Sequence, residues 1–159
     1  MGNRVKIVAT EGNRYKFSGI IDEASQFDDL IASFGPEVWL DFSEVSRINS
    51  CGVRQWVTAI YSTTTRIHYL NVPSLIVDQF SMVPEFLGPN SMVENFEARF
   101  ICDACGHEET QLLVVGKDVQ ACQDEYTDGP SKECPKCAAA MEFDHNPDVY
   151  LEFLKNVKK

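Results

Sequence analysis

The sequence predicts an α/β protein in which helices cover a mixed sheet, followed by a small cysteine-rich ribbon and a terminal helix. Three observations predict it. Short apolar strand-like runs alternate with helical periodicity up to Met92. Five of the six cysteines then fall after residue 100, dividing the chain by composition. The last segment, from Asn146, carries one apolar helical face.

Taken in order, Val5–Ala9 and Tyr15–Ile20 read as two strands joined by a turn at Glu11-Gly12-Asn13. Asp22 offers a helix N-cap, and Ala24, Phe27, Leu30, Ile31 and Phe34 repeat at helical spacing until Gly35-Pro36 stops them. Val38–Phe42 is a short apolar strand, and Ser43–Asn49 separates it from the next helix. There Ser50 is the expected N-cap, with Val53, Trp56, Val57, Ile60 and Tyr61 on one face. Ile67–Val72 reads as a strand, and a short helix spans Ser74–Met82, closed by Pro84 and Gly88. The first two strands suit a hairpin, so the sheet is expected to be mixed.

Past Val93 the pattern changes. Phe96–Cys102, Gln111–Val115 and Ala140–Phe143 read as strands, with a polar acidic loop over Lys117–Glu133. Cys102-Asp-Ala-Cys105 and Cys134-Pro-Lys-Cys137 each set two sulfurs on a tight turn, with 28 residues between Cys105 and Cys134. Two such pairs can bring four thiolates to one ion, which favours metal over disulfides in a chain without a secretion signal. Four thiolates leave no open coordination position, so the expected ligand set, Cys102, Cys105, Cys134 and Cys137, makes a structural zinc ribbon; iron is the rival metal. His107 and His145 are ligands only if a cysteine is displaced, and Cys122 is expected to be an ordinary loop residue. Asn146 as N-cap and Pro147 in the first turn start the final helix, whose face is Val149, Tyr150, Phe153, Leu154 and Val157. That face needs a surface, and a ribbon alone offers little core, so the helix is expected to pack on the α/β layer or on a second subunit.

Composition narrows function. The 159 residues are 44% hydrophobic, enough for an ordinary core. The net charge is −10, of which residues 1–92 contribute −3 and residues 93–159 contribute −7. A nucleic-acid partner, which normally meets a basic face, is therefore not expected. No run of 18 apolar residues and no signal-like N-terminus is present, so no membrane association and a cytoplasmic location are expected. No nucleophile with a paired histidine, phosphate loop or open metal site appears, so the chain is not expected to be an enzyme.

Leu40–Val53, read as Leu-Asp-Phe-Ser-Glu-Val-Ser-Arg-Ile-Asn-Ser-Cys-Gly-Val, resembles the signature of STAS domains, the anti-sigma factor antagonist family. In that family a strand reading like LDLS leads to a D-S-S/T-G-L turn that opens a helix. The element order over residues 4–92 is also similar. The resemblance implies a STAS-like domain over residues 1–92, followed by the zinc ribbon (93–145) and the C-terminal helix (146–159). It implies a regulatory protein that binds an anti-sigma factor or a kinase-like switch protein. Ser50 takes the place of the phosphorylated serine, and Asn49, Ser50, Cys51 and Gly52 form the partner-binding turn. Two positions depart from the pattern: Asn49 stands where Asp is usual, and Cys51 where a second Ser or Thr is usual. The alternative reading is a zinc ribbon that binds nucleic acid or the transcription machinery. A homodimer is compatible with either.

Overall fold

The computed structural model describes residues 5–158. Residues 1–4, the start of the N-terminal stretch read above for a signal, and residue 159 lie outside the described residues. The architecture is mixed α/β: a five-stranded mixed sheet, a four-stranded antiparallel sheet and four helices. No described helix is long and apolar enough to cross a membrane.

Strands β1 (Lys6–Ala9) and β2 (Arg14–Ile21) form the expected antiparallel hairpin, and Gly12 takes the positive φ its turn requires. After β2 the structure departs from expectation. Instead of a helix capped by Asp22, a local turn forms: the Asp22 carboxylate accepts the Ala24 N–H at 2.9 Å, and Ser25 Oγ accepts the Asp22 N–H at 2.9 Å. Such side-chain bonds offer the backbone an alternative to helix. Helix α1 therefore shrinks to Asp28–Ala32, while Phe27 just before it is buried against Phe17 and Trp56.

Strand β3 runs over Glu37–Ile48, well beyond the short strand read from the sequence. The extension pairs in parallel with β2 across two register shifts, which absorb the extra residues. Helix α2 (Ser50–Ile60) then crosses back to β4 (Arg66–Leu70), parallel to β3. Helix α3 (Ser74–Met82) and a 3-10 turn (Pro84–Leu87) lead to β5 (Ser91–Val93), parallel to β4. The sheet order is thus β1-β2-β3-β4-β5. Tyr61, expected on the apolar face of α2, lies beyond the helix end and is 78% exposed.

One face of this sheet is the core. Phe17, Leu40, Phe42, Ile67 and Tyr69 point to it and are fully shielded, with Trp56, Phe80 and Phe86 packed edge-on or tilted among them. The polar ends of the large rings find partners: Trp56 Nε1–H donates to the Phe86 carbonyl at 2.9 Å and the Tyr69 hydroxyl to the Leu87 carbonyl at 2.9 Å.

The second sheet has order β7-β6-β9-β8, with β6 at Asn95–Ile101, β7 at Glu108–Val114, β8 at Lys132–Glu133 and β9 at Ala140–Phe143. All its pairings are antiparallel, and a bridge between Val72 and Phe96 ties it to the first sheet. The terminal segment is shorter in helix than expected: α4 covers Pro147–Tyr150 and a 3-10 turn follows at Glu152–Lys155. The change of period turns Val149 outward, at 59% exposed, and buries Leu151 in its stead. Tyr150, Phe153, Leu154 and Val157 are buried as expected. Phe153 sits between Phe80 of α3 and Phe96 of β6, at centroid separations of 5.6 and 5.0 Å, so the segment packs back onto the α/β layer. The Tyr150 hydroxyl donates to the Glu97 carbonyl at 2.6 Å and lies 3.2 Å from Ser74 Oγ, and Ser81 Oγ donates to the Tyr150 carbonyl at 3.2 Å.

Candidate metal centre and docking turn

Cys102 directly follows β6, and Cys105 lies in the turn toward β7. In that turn the Gly106 N–H donates to the Cys102 carbonyl at 2.7 Å, and the Cys102 N–H to the His107 carbonyl at 2.8 Å. The second turn repeats this closure: the Ala138 N–H donates to the Cys134 carbonyl at 2.9 Å, and the Cys134 N–H to the Ala139 carbonyl at 2.7 Å. Each loop needs one left-handed residue. Gly106 (φ 77°) supplies it without strain, whereas Ala138 (φ 62°) accepts it in the second.

These turns bring one sulfur from each of Cys102, Cys105, Cys134 and Cys137 within 4.8 Å of one another. Cys102 Sγ lies 3.5 Å from Cys137 Sγ, and Cys105 Sγ 3.6 Å from Cys134 Sγ. Cys102 and Cys134 are buried, while Cys105 and Cys137 are exposed. All four sequence-assigned ligands are therefore together, and the group could hold a metal ion.

The electrostatics fit a cation. Burial raises the Cys134 thiol, but the N–H groups of Lys136 and Cys137 directed at its sulfur outweigh it and bring the thiol down to about 7. The Ala139 N–H lowers Cys137, yet the Cys102 sulfur and burial outweigh it and push that thiol up to about 12. Cys105 is likewise raised on balance: the His107 N–H lowers it, while burial and the Cys102 and Cys134 sulfurs raise it. Sulfurs this close cannot all carry charge without a cation between them, whereas a bound divalent ion deprotonates them. An all-sulfur set of four suits zinc or iron rather than the hard, oxygen-seeking cations.

Other candidate ligands stand aside. His145 Nε2 accepts the Arg99 N–H at 2.9 Å, and its ring stacks on Tyr150 at 3.7 Å. Burial, then the nearby Arg99 charge, pushes His145 down to about 4 and keeps the ring a neutral acceptor. His107 faces Glu109 at 3.6 Å, and the Cys122 thiol donates to the Val157 carbonyl at 2.9 Å.

The turn between β3 and α2 differs from the sequence reading in one respect. The N-cap is Asn49, not Ser50: its Oδ1 accepts the Gly52 N–H at 2.8 Å, from an extended backbone (φ −117°, ψ 174°). Ser50 is the first helical residue, and its side chain is free of that duty. Ser50 and Cys51 are exposed. Gly52 is buried because the helix starts directly on the end of β2: a Cβ there would sit 2.6 Å from the Ile21 carbonyl carbon. Any larger residue would push α2 off the sheet.

Sequence reasoning missed Glu23. Asn49 Nδ2 donates to Glu23 Oε2 at 2.9 Å, and this bond, with a backbone bond of its own, holds the Glu23 carboxyl below its ordinary range. A carboxylate thus meets the side chain of Asn49, the residue before Ser50. Nothing local in the sequence signals it, because 26 residues separate the two.

No model of a known protein family matches the chain, and neither does any curated protein or solved structure it was compared with.

Proposed function

We propose that this protein is a non-enzymatic, cytoplasmic regulatory module of the STAS type. In this reading it docks a protein partner, an anti-sigma factor or kinase-like switch protein, over the turn Asn49-Ser50-Cys51-Gly52. Phosphorylation of Ser50 releases that partner, and one zinc ion closes the ribbon through Cys102, Cys105, Cys134 and Cys137. The observation that carries the reading is the turn itself. An exposed hydroxyl stands at the start of an eleven-residue helix, relieved of capping by Asn49 and seated on the sheet by a glycine that tolerates no side chain.

The chemistry follows from charge. A phosphate on Ser50 adds about −1.5 to −2 charges. It would stand next in sequence to Asn49, whose side chain bonds the ionised Glu23 carboxylate, so the two negative charges together oppose any partner that closes over the turn. Glu23 also supplies the acidic group that the family pattern places at position 49.

The zinc part rests on the donor set. Four thiolates complete a tetrahedral shell and leave no position for water, so zinc here supplies folding energy and does no chemistry on a substrate. The acidic surface does not favour the nucleic-acid reading.

The test uses the full chain as bait in cytosol from its source. A partner retained by wild type and Ser50→Ala but lost by Ser50→Asp supports the switch; the acidic mimic should cost about 2–5 kcal/mol of binding. A partner held equally by all three proteins overturns the role of Ser50. Metal analysis should give one zinc per chain, and iron in its place would overturn the zinc assignment.

A further inference from the structure

The four cysteines of the metal centre are not equivalent. Cys102 and Cys134, the first of each pair, are buried, and Cys105 and Cys137, the second of each, are exposed. Sulfur contacts cross between the two turns: Cys102 Sγ meets Cys137 Sγ at 3.5 Å, and Cys105 Sγ meets Cys134 Sγ at 3.6 Å. Each contact therefore joins the buried cysteine of one turn to the exposed cysteine of the other. Within each turn the backbone is already closed without the sulfurs, by the Gly106 and Ala138 N–H groups on the Cys102 and Cys134 carbonyls.

Thiolates are the form of cysteine that peroxides oxidise, and accessible ones react first. In a reducing compartment such as the cytosol, disulfides are transient and redox-sensing. A link within either C-x-x-C pair would join residues only three apart and leave the two turns free to separate. Links along the observed contacts join residues 35 and 29 apart, so they restrict the open chain far more and tie one turn to the other. Such links hold the ribbon in the same way that a shared ion does.

Given the metal assignment above, on which this rests, we propose that the four-sulfur centre is a redox-convertible clasp. A hydroperoxide turns its thiolates into two disulfides, Cys102–Cys137 and Cys105–Cys134, and the metal leaves while the ribbon stays closed. In each pair the sulfur of the exposed cysteine, Cys137 or Cys105, attacks the peroxide. An S–O bond forms, the O–O bond breaks and hydroxide departs. The sulfur of the buried partner then attacks that oxidised sulfur; an S–S bond forms, the S–O bond breaks and a second hydroxide leaves. Each sulfur pair gives up two electrons to one peroxide, so two peroxides are reduced for each ion freed. The disulfides carry none of the negative charge that held the cation, which is why it leaves. The clasp is independent of the role assigned to Ser50.

Hydrogen peroxide titrated into the full-length, metal-loaded protein tests this, once its metal content has been measured. Zinc captured by a weak chromophoric chelator should rise by about one per chain for about two peroxides consumed. Mass spectra of the unreduced digest should show Cys102 joined to Cys137 and Cys105 to Cys134, and a dithiol with added zinc should reverse both links. Backbone amides of β8 and β9 should keep their protection from hydrogen exchange, in contrast to protein stripped of metal by strong chelation alone. Disulfides within either C-x-x-C pair, sulfinic acids in place of disulfides, or metal retained under oxidant overturn the proposal and leave the metal assignment standing. Loss of protection in β8 and β9 once the cross-links have formed overturns it equally. Protein that holds no metal before oxidant is added overturns the metal assignment and the clasp together, so the two failures are told apart.

Discussion

The two sheets of this molecule are built from similar strands but held together by different forces. The five-stranded sheet buries a continuous aromatic layer, in which Phe17, Phe42, Trp56, Tyr69, Phe80 and Phe86 are fully shielded and each packs on at least one other ring. The four-stranded sheet has far less to bury at its distal end. There Phe100 and Met141 are shielded and two cysteine turns replace a core, while at the opposite end of β7 Leu112 and Val114 stand 39% and 37% exposed. A small module that cannot bury enough apolar surface usually needs a metal or disulfides. The comparison teaches that an apolar core and a ligand set are alternative answers to the same entropy cost. Between the two lies a seam, where Phe153 and Tyr150 join α3 to β6.

Removing the proposed metal is the sharpest way to separate the regions. Metal binding contributes on the order of 10 kcal/mol to small thiolate modules. Cys134→Ser, or chelation, should therefore free the backbone amides of β7, β8 and β9 to exchange while those of β2, β3 and β4 stay protected. Hydrogen exchange read by mass spectrometry would show this; equal loss of protection in both sheets would mean the regions fold as one unit.

Next in size is the seam. Phe153→Ala should cost about 3–5 kcal/mol, because the side chain is fully buried between two other rings. It should lower the melting temperature of the whole chain with metal bound. A transition confined to the ribbon would show that the seam does not couple the two sheets.

Smaller effects sharpen the picture at the helix start. Gly52→Ala should cost about 1–3 kcal/mol from its clash with the Ile21 backbone. Asn49→Ala should cost about 1 kcal/mol as a lost cap, whereas Ser50→Ala should cost only about a few tenths, since Ser50 caps nothing. Urea midpoints for the three variants check the order.

The smallest effect is pH-dependent. The folded-state value of His145 lies near 4, below its ordinary value near 6.5, so folding favours the neutral ring. Its contribution is complete above about 6.5 and is lost as pH falls toward 4, as the unfolded chain takes up the proton first. Partial exposure holds the loss to about 1 kcal/mol. His145→Gln, which keeps an acceptor for the Arg99 N–H, should flatten this part of the stability–pH curve relative to wild type. Parallel curves for the two proteins would show that His145 contributes nothing.

The sequence by itself determined whatever is local or chemically unambiguous. Two C-x-x-C pairs named the four sulfurs that meet, because each turn closes within a few residues and thiolates have few other uses at that spacing. The hairpin, α3, β9 and the need of the terminal segment for an apolar surface were legible from apolar period and turn residues, while the choice of the α/β layer over a second subunit was not. Tertiary structure decided what depends on distant partners. Whether Asp22 would cap a helix or close a turn rested on Ser25 and on how deep Phe27 could bury. The length of β3 was set by its pairing with β2, and the capping role passed from Ser50 to Asn49. Glu23 bonded to Asn49 at the start of α2, and His68 held between Glu37 and Glu94 under Trp39, are products of tertiary pairing alone. Periodicity reports which side of an element turns inward, but what it meets there is chosen by the pairing of segments far apart in the chain.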